Sequence, residues 1–318
     1  MDIVIKFLVA AVGAGTPLLF GTVGEILTEK TGHLNLGVEG MMSIGACIGF
    51  MVGYYSDNFL LAILASAAAG AFGALIYAVL TVTFMANQNV TGLTLTIFGI
   101  GFANFIGIFV LNKTPEGTLK LPENITAAMR GVSVPGLGSI PVIGPLLFSY
   151  SPFVYIGIFI AIGCAWYMNH TKAGLNLKAV GENPGAADAA GIQVTRIKYI
   201  NIILGGAICG IGGVYCSMII NGGVWISDNV GGLGWIAVAL VIFANWQPAY
   251  AILGSFVFGA LRVLKYYIPQ SILPFPIAFY DMLPFLITAL VLVISSMRKS
   301  GRINLPAALG QNYFREER

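Results

Sequence analysis

Gly24-Glu25-Ile26-Leu27-Thr28-Glu29-Lys30-Thr31-Gly32-His33-Leu34-Asn35-Leu36-Gly37-Val38-Glu39-Gly40-Met41-Met42 is the stretch whose reading decides the fold. It sets polar residues and glycines between two apolar runs, residues 3 to 24 and 34 to 55. Each run is near the ~20 residues that carry a helix across hydrocarbon. Glu25, Glu29, Lys30, His33, Asn35 and Glu39 therefore cluster where one crossing ends and the next begins. One reading makes them a cytoplasmic turn with solvated charges; if the second segment starts there, Asn35 and Glu39, four apart, share one helix face.

Outward from this stretch the chain stays apolar. Of 318 residues, 57% are hydrophobic and 9% charged, and the mean hydropathy is +0.87. That leaves too little polar surface for a water-soluble globule, so the chain is an integral membrane protein. A barrel would be written in short alternating strands, whereas these runs are continuous. Further runs lie at 59 to 84, 88 to 111, 151 to 168, 199 to 220, 231 to 247, 249 to 266 and 278 to 297. The expected fold is an all-α transmembrane bundle of about nine crossings, with residues 1–318 forming a single domain. Runs 34 to 55 and 231 to 247 are glycine-rich and are candidates for broken or re-entrant segments.

Charge placement orients the bundle. Arg298, Lys299, Arg302, Arg315 and Arg318 follow the last run, so the positive-inside rule puts the tail 298–318 in the cytoplasm. Counting back, Lys172, Lys178, Arg196 and Lys198 also fall inside, and the N-terminus falls outside. The start of the chain lacks the basic region of a cleaved signal and is read as a retained first segment. Segment 112–150 falls outside and exceeds ~15 residues, the length at which a loop carries a function or its own short helix. The net charge of +3 resides in loops and gives no support to a nucleic-acid role. Cys47, Cys164, Cys209 and Cys216 lie in apolar runs with no CxxC pair, so they read as buried small hydrophobes without metal. Small residues recur four apart at Gly45/Gly49/Gly53, Ser66/Gly70/Ala74, Gly99/Ala103/Gly107 and Gly206/Gly210, which predicts close helix contacts.

Residues 169–198 contain a short helix written out in its caps. Asn183 suits an N-cap, Pro184 the first helical position, and Gly191 the left-handed residue that ends the helix. This stretch resembles the cytoplasmic loop of the permease subunits of bacterial binding-protein-dependent ABC importers, in which Gly-Glu-Asn-Pro opens the coupling helix. Gly24–Met42 resembles the opening signature of the same group, in the branch for branched-chain amino acids, simple sugars and nucleosides. The wording Leu34-Asn35-Leu36-Gly37-Val38-Glu39-Gly40-Met41-Met42 is most similar to the nucleoside members.

The resemblance implies an ATP-driven importer of nucleosides in the bacterial plasma membrane, built from this chain, ATPase subunits, a second permease subunit (a different chain or a copy) and an extracellular binding protein. It assigns Glu182, Asn183, Pro184, Ala187, Asp188 and Gly191 to ATPase coupling. No cofactor is implied, and the chain is not itself an enzyme. Gly24 to Thr31 approaches a phosphate-loop pattern, but Glu29 stands where the second glycine belongs, and a carboxylate repels phosphate.

Runs 59 to 84, 88 to 111, 151 to 168, 199 to 220 and 231 to 247 contain no Asp, Glu, Lys or Arg. This argues against a stand-alone ion-coupled carrier or channel, which relies on intramembrane carboxylates. A neutral polar solute fits better, a nucleoside or sugar ahead of a branched-chain amino acid. Asn35, Glu39, Gln88, Asn89, Thr94, Asn104, Trp225 and Trp235 are the pathway candidates, joined by Thr91, Thr96, Asn201 and Asn245, because amides and hydroxyls bond to a sugar or base and indoles stack on it. Asp281 is expected to form a structural ion pair with Arg262 or Lys265.

Overall fold

A computed structural model describes residues 2–115, 117–129, 131, 143–268, 276–297 and 304–314. In chain order the helices are α1 (Asp2–Glu29), α2 (Val38–Ser56), α3 (Phe59–Ala78), α4 (Gln88–Leu111), α5 (Glu123–Met129), α6 (Ile143–Phe148), α7 (Pro152–His170), α8 (Lys172–Glu182), α9 (Pro184–Ala189), α10 (Val194–Tyr215), α11 (Leu233–Phe243), α12 (Pro248–Tyr267) and α13 (Ile277–Met297). Single π-helical turns, Val79–Thr83 and Cys216–Ile220, extend α3 and α10. Among the described residues seven helices are long and apolar enough to cross a membrane, and α11 and Ile277–Leu290 are shorter apolar helices. All nine apolar runs thus coincide with helices, and the architecture is the all-α polytopic bundle.

The bundle is assembled on α1 and α10, which run antiparallel. The Tyr215 hydroxyl donates to the Gly13 carbonyl at 2.9 Å, while Gly24 lies against Gly205 further along. α2 and α3 close on α10 through the rows of small residues: Gly45 meets Gly210, Gly49 meets Ser66, and Gly70 meets Gly206. Such contact is the available driving force in lipid, where apolar side chains gain nothing by leaving one hydrocarbon for another. α12 packs antiparallel on α1, with Gly15 against Ser255 and the Tyr267 hydroxyl donating to Lys6 O at 3.0 Å. Lys265 pairs with Asp281 at 2.5 Å and ties α12 to α13. Arg262 is not that partner.

Segment 112–150 carries α5 and α6, as its length predicted. Helix α8 was not anticipated. Thr171 caps it by accepting from Gly174 N at 3.0 Å, a signal present in the sequence but masked by the charged residues around it. Arg298, Lys299, Arg302, Arg315 and Arg318 lie outside the described residues.

Candidate functional site

Two crossings are interrupted, and the interruptions meet. α1 continues to Glu29, and residues 30–37 then descend without helical structure along α4 before α2 begins. Leu34 N donates to Gln88 Oε1 at 2.8 Å, at the start of α4. The Leu36 carbonyl accepts from Thr96 Oγ1 at 2.9 Å, and Gly40 packs against Thr96 and Gly99. Eight residues separate Gln88 from Thr96, so α2 begins ~12 Å along a helix ~36 Å long.

Irregular backbone at that depth persists only if every polar group finds a partner in the protein. The partners are buried side chains. Glu25 accepts from Asn35 N at 3.0 Å and from Asn35 Nδ2 at 3.1 Å. Asn35 Oδ1 accepts from Gly37 N at 2.8 Å, and the Tyr77 hydroxyl donates to Leu34 O at 2.8 Å. The solvated-turn reading is therefore corrected: Glu25, Glu29, His33, Asn35 and Glu39 are all buried. Asn35 and Glu39 do not share a helix face either, because α2 starts at Val38.

The second interruption enters from the opposite end. Residues 221–232 run down α4 as loop, with the Trp225 ring on Gly107 and beside Phe50 (centroids 5.3 Å apart). Lower down, Asn104 and Asp228 exchange two hydrogen bonds: Asn104 Nδ2 donates to Asp228 Oδ1 at 2.9 Å, and Asp228 N donates to Asn104 Oδ1 at 3.0 Å. α11 follows. Its eleven residues span ~16 Å, about half a hydrocarbon core, so run 231 to 247 is a half-helix.

Glu39, in the first turn of α2, joins the two interruptions. Its carboxylate accepts from Gly232 N at 2.8 Å and Gly234 N at 2.6 Å, satisfying amides at the start of α11. Gly234 is obligatory there, since a Cβ would sit 2.5 Å from the Glu39 backbone, and Gly232 has φ +84°. From this contact α2 heads toward α5 and α11 toward the opposite end, so two helix N-termini oppose each other inside the bundle.

The α8–α9 end is built differently. Asn183 Oδ1 accepts from Ala186 N at 2.9 Å, Pro184 occupies the first turn, and Gly191 has φ +82°. The sequence reading of this helix therefore holds in geometry. Ala187 is its buried anchor, set against Val180 and Val194, while Glu182, Asn183 and Gly191 are exposed. The chain's last described segment straps across the same end. Ala308 N donates to Gly181 O at 3.0 Å, Gly310 N to Gly32 O at 3.0 Å, and the Tyr313 hydroxyl to Asp188 Oδ2 at 2.8 Å. Gln88 Nε2 donates to Asn312 Oδ1 at 3.1 Å, and Lys30 Nζ to Asn304 O at 2.6 Å. The Trp246 indole donates to Glu29. Burial pulls the Lys30 ammonium down to about 8; burial, reinforced by the Lys198 charge, pulls the His33 imidazole down to about 3. Neither the strap nor the Glu39–α11 contact carried a local sequence signal.

The pathway candidates divide accordingly. Asn35, Glu39 and Gln88 brace the first interruption and Asn104 and Trp225 the second. Asn89 and Thr94 are exposed on α4, and Trp235 is 37% exposed on α11.

Interrupted membrane helices whose ends meet within a bundle define a polytopic transport protein. The chain belongs to the family described as "Branched-chain amino acid transport system / permease component", which matches residues 7–292. The guanosine ABC transporter permease protein NupQ of Bacillus subtilis is 33% identical over 95% of this chain and 94% of its own length. The nucleoside ABC transporter permease protein NupC of Lactococcus lactis is 33% identical over the same shares. The putative glucose ABC transporter permease protein TsgC13 of Haloferax volcanii is 32% identical over 96% of this chain and 97% of its own length. No solved structure matches the chain. The family comprises transport components, so this is an ABC importer permease and not an enzyme.

Proposed function

We propose that the chain forms the translocation pathway for nucleosides in an ATP-driven importer of the plasma membrane. The observation that carries this reading is full-length similarity to two permeases named for guanosine and nucleosides. A pathway whose buried carboxylates are occupied by backbone amides, and which offers amides and indoles to a solute, is consistent with a neutral polar cargo. The similarly close glucose permease supports a second reading, a simple sugar.

In the proposed assembly the α8–α9 end and the tail 298–318 face the cytoplasm, residues 1–318 form one transmembrane domain, and 169–198 is its coupling loop. Glu182, Asn183, Pro184, Ala187, Asp188 and Gly191 meet an ATPase subunit. The exposed side of α4, with Asn89 and Thr94, faces a second permease subunit across the pathway, and Trp235 meets solute. The α5–α6 segment receives an extracellular binding protein. ATP binding draws the ATPase subunits together, α9 moves with them, and the glycine-lined helices re-pack to switch access.

The test is uptake of labelled adenosine and uridine, with ribose and leucine as competitors, in cells lacking this chain and in cells given it back. Nucleoside uptake that returns with the chain and disappears when the ATPase is disabled is the expected result. Return of ribose or leucine uptake instead keeps the importer and replaces the solute; uptake indifferent to the ATPase removes the importer reading.

A further inference from the structure

Beneath α9, where α10 begins, lies a cavity of about 580 Å³. Its walls include His33, Asp188, Thr195, Arg196, Lys198 and Tyr313. Lys198 is only 4% exposed, yet among the described residues no hydrogen bond or ion pair reaches its ammonium. Buried charges in folded proteins are paired, because desolvating one without compensation is costly. The acidic side chain on the same wall, Asp188, has its carboxylate engaged by the Tyr313 hydroxyl at 2.8 Å.

Two further features raise the positive potential of this space. α10 opens on it through Val194, Thr195 and Arg196, and its N-cap, Gln193, places no side-chain hydrogen bond on the first turn. Among the described residues, no acidic side chain bonds to the first turn of this 22-residue helix, whose positive dipole end meets the cavity. Arg196 stands exposed at the rim. The buried His33 Nε2 also has no hydrogen-bond partner.

We infer that this cavity binds a phosphate group, held by the Lys198 ammonium and the first-turn amides of α10, with Arg196 closing over it. A helix N-terminus with a cation beside it matches the doubly ionised, multiply accepting character of a phosphate monoester. The group has two possible sources. One is an acidic lipid headgroup, whose chains would lie along the exposed Phe84, Ile200 and Leu204; the other is a soluble phosphate ester.

The test uses the full chain purified with its partner subunits and stripped of lipid by detergent exchange. Binding of short-chain phosphatidic acid is followed by thermal shift, with the matching diacylglycerol as the phosphate-free probe and inorganic phosphate as competitor. Phosphatidic acid is expected to bind at least tenfold more tightly than diacylglycerol. Lys198→Met should abolish that margin, Lys198→Arg should preserve it, and Arg196→Met, at an exposed position that does not threaten folding, should narrow it about threefold. Displacement by millimolar inorganic phosphate identifies the soluble ester as the source, and resistance to displacement identifies the headgroup. Equal binding of the two lipids, or margins unchanged in both Lys198→Met and Arg196→Met, overturns the proposal.

Discussion

The junction around Glu39 and the α8–α9 end are both departures from regular membrane helix, and they are held in opposite ways. At the junction six polar side chains are committed inward: Glu25, Tyr77, Gln88 and Thr96 bond to residues 34–36, Asn35 Oδ1 bonds to Gly37 N, and Glu39 bonds to the start of α11. At the other end, among the described residues, α9 is held by the buried Ala187, the Asn183 cap and the contact of Tyr313 with Asp188, while Asn183 itself is exposed. The difference follows from the surroundings. Backbone broken within hydrocarbon has no water to fall back on and must be over-determined, whereas a helix at the interface can be held lightly and can therefore be displaced by a partner.

The most direct way to break this comparison is Glu39→Ala, which leaves the Gly232 and Gly234 amides unpaired. Hydrogen bonds to a buried charge contribute ~1.5–3 kcal/mol each, so a loss of about 3–5 kcal/mol is expected by unfolding in detergent. Wild-type stability in this variant would show that the carboxylate does not hold the junction, and Glu39→Gln should fall between the two.

Acid provides the next test. His33 titrates at about 3 in the folded chain and near 6.5 when unfolded. Between those values the unfolded chain binds the extra proton, so stability is lost as pH falls from 6.5 toward 3. Melting curves across that range should slope less steeply in His33→Gln, and parallel slopes would remove His33 from the account.

At the α9 end smaller effects are expected. Asn183→Ala deletes the N-cap at a cost of ~1 kcal/mol. Because the helix is local, the change should appear as faster amide exchange at residues 186–190 rather than as a shift of the global melt, and Asn183→Ser should restore protection. Asp188→Arg should alter stability least, by under ~0.5 kcal/mol, as a partly exposed substitution. It should nonetheless uncouple ATP hydrolysis from uptake, with Tyr313→Phe separating the loss of the strap contact from the loss of the ATPase contact. Normal transport by Asp188→Arg would remove α9 from the coupling role.

Legibility followed the same division. The caps of α9 were readable because Asn183, Pro184 and Gly191 act on backbone within a few residues of themselves. The small-residue rows were readable because helical spacing alone puts them on one face. Glu25, Glu29 and Glu39 were not readable in the same way. Charges beside an apolar run look identical whether they face water or a buried amide, and the amides that Glu39 satisfies lie more than 190 residues away. The glycines of runs 34 to 55 and 231 to 247 marked both as candidates for broken segments, but an apolar run does not record where its helix starts, so the extent of the half-helix α11 was not legible.

The sequence by itself determined that the chain is a membrane protein, that its nine apolar runs are helices, where α9 begins and ends, and which family the two motif regions resemble. Each of these rests on composition or on interactions spanning a few residues. Only the tertiary structure decided that two crossings are interrupted, that their ends are joined through Glu39, that the segment 304–314 straps the α8–α9 end, and that Lys198 borders a cavity beneath α9. Those features depend on which distant backbone groups are left unpaired once the helices pack, and that is a property of the assembled bundle.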